Sequence, residues 1–139
     1  MRDMAKLTVH LRFDGNCRQA FNFYKDVFEQ EPILQTLGET PMASQFPPEM
    51  KDKIMHASLN KGNVILMGSD MIRDGKIQKC NNITIGLVCE NKDEINILFK
   101  KLSKGGKVTN PLKDEFFGTY GDLTDKFGIN WLFQFNESS

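Results

Sequence analysis

The fold is decided by one stretch near the end of the chain, Phe116-Phe117-Gly118-Thr119-Tyr120-Gly121-Asp122-Leu123-Thr124-Asp125-Lys126-Phe127-Gly128-Ile129-Asn130-Trp131-Leu132-Phe133. Within it, Asp125-Lys126-Phe127-Gly128 is typical of a turn whose glycine adopts a positive φ. The residues after this turn alternate in the way of a strand with two different faces. The stretch therefore predicts strand, turn and strand. Trp131 should lie in the core, and Phe117 and Tyr120 in the core or on the sheet face.

Composition limits the classes of protein that this sequence can encode. A chain of 139 residues fits a single domain, residues 1–139. Eighteen basic residues balance eighteen acidic ones, so net charge gives no reason to expect nucleic acid or an anionic membrane as a partner. No apolar run approaches the roughly 20 residues of a membrane span, and no signal peptide is evident. Three cysteines without a CxxC pair suit free thiols, so we expect a cytoplasmic protein.

The first half of the chain begins with an alternating segment, Leu7 to Phe13. Apolar residues from Leu7 onward form one face of this predicted strand, and Thr8, His10 and Arg12 form the other. A turn follows in which Asn16 is positioned to cap a helix. Apolar residues at i, i+3, i+4 and i+7 give that helix one buried face, and it should end near Glu29.

Three further strands are predicted in the first half, at Ile33–Leu37, Lys53–Leu59 and Val64–Met67. The second of these carries His56. Asn60-Lys61-Gly62-Asn63 joins the last two strands as a hairpin. The proline-containing stretch 38–53 predicts a loop that serves as a lid or as a partner contact. The polar stretch from Gly68 to Lys79 is predicted to link the two halves.

The second half repeats this order of elements. Apolar residues alternate from Ile83 to Cys89, with Thr84 on the other face, and Asn91 caps the following helix. Three more strands complete the repeat. The sequence therefore predicts an α+β fold of two βαβββ modules, residues 6–70 and 81–136, which form a cupped mixed β-sheet with the helices on its outer face.

Several segments, taken in order, resemble the PhnB-like branch of the vicinal oxygen chelate superfamily, which includes glyoxalase I, bleomycin-resistance proteins and extradiol dioxygenases. These segments are Phe13–Tyr24, Ile54–Leu59, Leu66–Asp70 and Thr124–Trp131. The resemblance covers nearly the whole chain and implies the paired βαβββ fold. It also implies a homodimer, which the open edges of the predicted sheets favour independently.

The resemblance implies positions for a metal site as well. Metal-using members of the superfamily hold a divalent ion with His, Gln or Glu from the first and last strands of each half. By resemblance these positions fall on Thr8, on Leu66 or Met67, on Thr84 and on Leu132. None of these side chains is an ordinary ligand of a catalytic metal. We therefore predict no metal and no cofactor, with a divalent metal as the alternative.

The predicted ligand site is the sheet face that the helices leave uncovered. Its candidate residues are Thr8, His10, Arg12, His56, Met67, Thr84 and Leu132. The two histidines either have a structural or ligand-contacting role or, with a carboxylate such as Asp70 or Glu115, hold a metal. His10 could also act as a general base. Arg12 either holds a carboxylate or phosphonate group or forms a salt bridge across the sheet. No catalytic residue is predicted.

Two further activities are not expected. Cys17 and Cys89 fall on buried faces, where thiols are usually inert. Some members of the branch are described as methyltransferases of a quinone pathway, but this sequence has no Gly-rich strand-to-helix turn for S-adenosylmethionine. We predict a metal-free protein that binds a small, partly aromatic or anionic molecule. The alternatives are a metal-dependent lyase or dioxygenase with a non-standard site, and a dimeric scaffold with a collapsed cup.

Overall fold

The computed structural model describes residues 7–71 and 76–136. The chain divides into two compact units, Met1–Ile77 and Gln78–Ser139. Each unit contains a strand, a helix and three further strands, which confirms the predicted α+β fold of paired βαβββ elements. Within the described residues no helix is long and apolar enough to cross a membrane.

The first unit is a four-stranded mixed sheet with one helix. Its elements are β1 (Val9–Phe13), α1 (Cys17–Phe28), β2 (Ile33–Thr36), β3 (Ile54–Lys61) and β4 (Val64–Asp70). The strand order is β1-β4-β3-β2, with β1 and β4 parallel and the other neighbours antiparallel. Phe21 of α1 packs edge-on against Phe13 of β1, with ring centroids 6.4 Å apart. The helix therefore covers one face of this sheet, and we call the opposite face the first open face.

Between β2 and β3 the chain forms three short 3-10 helices, Leu37–Glu39, Pro41–Gln45 and Pro48–Met50. Both ends of this stretch are fixed to each other. The backbone N–H of Leu37 donates to the carbonyl of Lys53 at 2.8 Å, and that of Gly38 donates to Lys51 at 2.9 Å. Leu37 is buried as an apolar anchor. The predicted lid or partner role of this loop stays a prediction.

The N-terminus of α1 is capped differently from the prediction. The Asn16 side chain makes no capping hydrogen bond. Instead the carboxylate of Asp70, at the end of β4, accepts from the backbone N–H of Cys17 and of Ile54, each at 2.9 Å. β4 extends through Asp70, beyond the predicted Met67, because Ser69 and Asp70 pair with Arg12 and Phe13 of β1. Part of the predicted link between the halves, residues 72–75, lies outside the described residues.

The second unit has the same architecture. Its elements are β5 (Ile85–Val88), α2 (Lys92–Ser103), β6 (Lys107–Glu115), β7 (Gly118–Thr124) and β8 (Asn130–Asn136). The strand order is β5-β8-β7-β6, with β5 and β8 parallel. Asn91 caps α2 as predicted, because its side chain accepts from the N–H of Glu94 at 2.8 Å. Phe99 of α2 contacts Phe133 of β8 edge-on, and Trp131 is fully buried on the same face, as predicted. The opposite face is the second open face.

Three apolar residues lie outside the places predicted for them. Leu7 and Ile83 were assigned to the buried faces of the first strand of each half, but they precede β1 and β5 and are 98% and 69% exposed. The alternation of apolar and polar residues begins before the first residue that pairs with a neighbouring strand. Periodicity therefore overestimates the length of both strands. Phe117, predicted in the core or on the sheet face, is exposed because it lies in the turn between β6 and β7.

Candidate functional site

The first open face is built from two neighbouring rows of side chains that cross all four strands. In the row nearer the carboxyl end of β1, Arg12 pairs with Ser69, and His56 pairs with Gln35. Ser69 and His56 are neighbours because the residues beside them, Gly68 and Ala57, are paired. We call Arg12, Ser69, His56 and Gln35 the polar row. Since paired residues point to the same side of a sheet, these four side chains project from one face.

The second row lies one side-chain repeat away. His10 pairs with Met67, Met67 with Ser58, and Ser58 with Ile33. This row contains two apolar side chains, and Ile33 is 69% exposed. The first open face therefore presents polar groups along one row and a more apolar surface along the next.

His10 connects the two rows. Its Nε2 atom is 3.1 Å from Oγ of Ser69 in the polar row, within hydrogen-bond distance. Partial burial lowers the pKa of His10 below its usual 6.5, and the nearby charges of Arg12 and of His56 lower it further. Because each of these effects opposes protonation, His10 is a neutral imidazole at neutral pH.

Arg12 is exposed on this face, and none of the described carboxylates forms an ion pair with it. The two ion pairs formed within the described residues both use lysines, Lys25 with Glu31 and Lys92 with Asp114. Asp70 is the single acidic residue in β1 to β4, and it is buried on the helix side. The cross-sheet salt bridge that the sequence left open for Arg12 is thus not formed within the described residues.

The structure brings together four of the seven predicted ligand-site residues. His10, Arg12, His56 and Met67 lie on the first open face. Thr8 is exposed just before β1. The remaining two, Thr84 and Leu132, belong to the second unit, where Thr84 precedes β5 and Leu132 pairs with both Gly86 and Asp122.

On the second open face, Asp122 is the centre of a hydrogen-bond cluster that sequence reasoning missed. Its carboxylate accepts from the hydroxyl of Thr109, from Nδ2 of Asn110 at 3.0 Å and from the hydroxyl of Tyr120 at 2.9 Å. Burial acts to raise the pKa of Asp122, but these hydrogen bonds outweigh it and hold the pKa below its usual range. The sequence did contain one indication of this cluster: Tyr120 and Asp122 are two residues apart, and such residues lie on the same face of a strand.

Donation to Asp122 also changes the acidity of Tyr120. The hydrogen bond to the carboxylate, together with burial and the negative charge itself, raises the pKa of the phenol. Tyr120 is therefore a neutral hydrogen-bond donor whose proton is already engaged. The cluster presents one fixed negative charge with its acceptor sites largely occupied.

The metal positions implied by the resemblance do not form a ligand set. Leu66 is buried under α1, whereas Met67 lies opposite His10, so Met67 is the residue of this pair on the open face. The side chains concerned, Thr8, Met67, Thr84 and Leu132, offer hydroxyl, thioether and alkyl groups rather than imidazole or carboxylate. Across residues 7–71 and 76–136, no group of three or more His, Cys, Asp or Glu side chains could hold a metal. The residues present do not fit the superfamily's divalent ion.

The two buried thiols, Cys17 and Cys89, are not activated nucleophiles, and a cavity on the helix side of the first unit indicates no particular ligand. Burial raises the pKa of Cys17 to about 12 and that of Cys89 to about 11, so both remain protonated thiols, as predicted from their buried positions. A cavity of about 280 Å³ opens beside α1, where Arg18 and Lys53 are offset by Glu49 and Asp52. Its mixed charges select no particular ligand.

Each unit forms a mixed sheet from elements in the order βαβββ and leaves one face of the sheet open. This arrangement is that of the glyoxalase/bleomycin-resistance/dioxygenase class of fold. A domain of that description from Frankia sp. EAN1pec has a TM-score of 0.66 at 14% identity, covering 99% of this chain and 96% of that one. The likeness shows the fold.

Closer relatives identify the family. The family model described as 3-demethylubiquinone-9 3-methyltransferase matches residues 5–134. Protein PA1353 of Pseudomonas aeruginosa is 32% identical, covers 94% of this chain and 98% of its own, and has a TM-score of 0.80. A Bacillus cereus PhnB protein, provisionally given the same methyltransferase description, is 26% identical over 94% and 99% of the two chains, with a TM-score of 0.76. No curated protein sequence matches. The chain belongs to this PhnB-like family, which confirms the resemblance, and it has the glyoxalase/bleomycin-resistance/dioxygenase fold.

The methyltransferase description names a reaction for which the strand-to-helix turns of this chain are poorly suited. The turn between β1 and α1, Asp14-Gly15-Asn16, contains a single glycine, and the helix N-terminus behind it already binds the Asp70 carboxylate. The corresponding turn before α2 contains none. Neither turn resembles the glycine-rich loop expected for a bound nucleotide-like cofactor.

Proposed function

We propose that this PhnB-like protein binds a small organic molecule on the open face of a sheet and does so without a metal ion. The observation that carries the proposal is the first open face, where Arg12, His56 and the neutral His10 project together from a regular sheet. A small-molecule site typically combines apolar surface with a few polar groups that fix orientation. The polar row and the second row supply that combination.

We propose binding without catalysis because neither His10 nor Asp122 is arranged as a reactive group. His10 contacts the hydroxyl of Ser69, and within residues 7–71 and 76–136 no carboxylate of β1 to β4 lies on this face to orient its imidazole as a catalytic base. Asp122 on the second open face is occupied by three neighbouring donors. Binding, rather than proton transfer or nucleophilic attack, is what these groups support.

A fragment screen tests this function. Compounds are added to the full-length ¹⁵N-labelled protein, and both the melting temperature and the amide spectrum are recorded. We expect binders that move amide signals of β1 and β4 and, at 100 times their dissociation constant, stabilise the fold by about 2.7 kcal/mol. A screen without binders, or binders that map only to the cavity beside Arg18, would contradict the proposal.

The alternative is a metal-dependent lyase or dioxygenase with a non-standard site. One observation favours it, namely that His56 is close enough to His10 to lower its pKa. Elemental analysis of protein purified without chelators or an affinity tag separates the two functions. Our proposal predicts far less than one metal per chain. Stoichiometric zinc, iron, nickel or manganese, lost in both His10→Ala and His56→Ala, would establish the alternative instead.

We also propose a cytoplasmic homodimer. The cysteines of the described residues, Cys17, Cys80 and Cys89, are free thiols, which suits a reducing compartment. Each sheet ends in strands with an unpaired edge within its own unit, and β6 is exposed along most of its length. Such edges are commonly covered by a partner. Light scattering should give twice the 15.9 kDa chain mass at micromolar concentration, and a monomer mass would rule the dimer out.

A further inference from the structure

We propose that the polar row of the first open face is an anion-binding subsite, and that the ligand carries a carboxylate or phosphate group attached to an apolar body. This inference rests on the proposed function, because it specifies the chemistry of the molecule that the same face would bind. It assigns the anion to the Arg12 end of the polar row, where Ser69 is the neighbouring side chain, and the apolar body to the second row.

The charge of this face favours an anion. Arg12 is permanently protonated, and the strands contribute no acidic side chain to its side of the sheet. Within the described residues its guanidinium has no carboxylate partner. An exposed, unpaired guanidinium beside a hydroxyl is a ready donor set for the oxygens of a carboxylate or phosphate.

The remaining groups of the polar row are neutral or weakly basic donors. Ser69 supplies a hydroxyl, Gln35 an amide N–H and His56 an imidazole N–H, and the register of β1 to β4 aligns them with Arg12. Nε2 of His10 contacts the Ser69 hydroxyl, and the proposal requires the tautomer in which Nε2–H donates to Ser69, because only then is the Ser69 proton available to an anion. Because neighbouring strands lie about 4.8 Å apart, Ser69 on β4 is the polar neighbour of an anion at Arg12, whereas His56 and Gln35 lie roughly 10 and 14 Å from Arg12 across the sheet and are within reach of a longer ligand only.

The second row sets the shape of the rest of the ligand. Residues two apart on a strand are separated by roughly 6.6 Å along its axis, so Met67 and Ile33 lie about one small ring away from the polar row. Both are apolar, and Ile33 is largely exposed. A ligand whose anionic group lies at Arg12 would place a small apolar body on Met67 of the neighbouring strand, and a longer body would extend across the sheet toward Ile33.

Neither of the other polar regions suits an anion equally well. The second open face has Asp122, whose negative charge would repel it. The cavity beside α1 contains Glu49 and Asp52 next to its cations, and Asp70 already occupies the N-terminus of the helix. Of these three regions, the first open face is the one where positive charge is not offset by an acidic side chain of the described strands.

Three small probes test the subsite on the full-length protein. Phenylacetate and phenyl phosphate carry the two kinds of anionic group, and phenylacetamide is the neutral counterpart of the first. Amide signals of β1, β3 and β4 are followed during each titration. Arg12→Gln removes the proposed cation. Arg18→Gln is the matched control, because it removes an exposed arginine from α1 on the other side of the sheet.

We expect both anions to bind the first open face more tightly than phenylacetamide, and Arg12→Gln to weaken them by about tenfold or more, since a hydrogen bond to a charged group is being lost. Arg18→Gln should leave their affinities unchanged. The tighter of the two anions identifies the ligand group as carboxylate-like or phosphate-like.

Equal binding of phenylacetamide and the anions, or an Arg12→Gln protein that binds as the parent does, would overturn the anion subsite. In that case probes that still map to this face would leave the proposed small-molecule function standing. Equal losses in both arginine variants would reveal a general charge effect and would also overturn the subsite. If none of the three probes moves the signals of the first open face, the subsite is rejected, and the fragment screen decides the broader function separately.

Discussion

The indole Nε1–H of Trp131 donates a hydrogen bond of 2.9 Å to Oδ2 of Asp125. The other carboxylate oxygen of Asp125 accepts from the backbone N–H of Phe127 at 2.8 Å and of Ile129 at 3.0 Å. Gly128 closes the same turn with a positive φ of 88°. One buried carboxylate thus fixes the turn, the entry into β8 and the orientation of the core tryptophan.

This arrangement predicts strong energetic coupling between Asp125 and Trp131. Trp131→Phe keeps an aromatic ring but removes the N–H that donates to this buried carboxylate, and Asp125→Asn puts an amide N–H where a donor now points. We expect each variant to lose about 1–3 kcal/mol of unfolding free energy. In a double-mutant cycle measured by urea denaturation, the two losses should fall short of additivity by about 1 kcal/mol or more.

Asp52→Asn provides the control for the change of charge. Asp52 is exposed, so its substitution should alter the unfolding free energy by no more than about 0.5 kcal/mol. Additive effects of the two substitutions in the cycle would show that the Trp131–Asp125 hydrogen bond does not couple them.

Trp131→Ala should have a larger effect than Trp131→Phe. The side chain is fully buried against the helix-side face, where truncation leaves a cavity as well as a lost hydrogen bond. A loss of about 3–5 kcal/mol is expected from urea denaturation of the two proteins. A loss below about 1 kcal/mol would be incompatible with a core position for this residue.

The features that the sequence predicted are local ones. Asn91 and Glu94 are three residues apart, and the turn ending at Gly128 is contained in four residues, so spacing alone identifies both. Asp70 caps a helix that begins 53 residues earlier, and nothing near Asn16 reveals this. The polar row likewise requires the register of four strands, which places Gln35 and Ser69 beside the predicted Arg12 and His56.

The cap of α1 can be tested with a pair of substitutions. Asp70→Asn should destabilise the protein by about 1–3 kcal/mol, because the buried carboxylate accepts from the N–H groups of both Cys17 and Ile54. Asn16→Ala should change the unfolding free energy by less than about 0.5 kcal/mol, since this side chain makes no capping bond. The reverse order of the two effects in denaturant titrations would return the capping role to Asn16.

The three thiols should differ sharply in reactivity. Cys80 is exposed, whereas burial raises the pKa of Cys17 to about 12 and that of Cys89 to about 11. Because the thiolate is the reactive form, an aromatic disulfide reagent at pH 7.5 should modify one thiol quickly in the native protein. Cys80→Ser should abolish this fast phase, and all thiols of the unfolded chain should react. A fast phase that survives in Cys80→Ser would show that one of the buried thiols is accessible.

The pKa of His10 predicts how stability changes between pH 7.5 and 5. Folding lowers this pKa below 6.5 through burial and through the charges of Arg12 and His56, so the folded state binds the proton less readily than the unfolded chain does. Above pH 6.5 both states are neutral at His10 and no cost arises. As the pH falls below 6.5 the unfolded state gains protons first, and stability declines until the pH has passed the folded pKa.

Relative to the parent, His10→Gln should therefore gain unfolding free energy as the pH is lowered from 7.5 to 5. Arg12→Gln should raise the pKa of His10 in an NMR titration, because one of the charges that oppose protonation is removed. A His10 pKa above 6.5 in the parent, or a parent-to-His10→Gln difference that does not vary with pH, would contradict the neutral imidazole on the first open face.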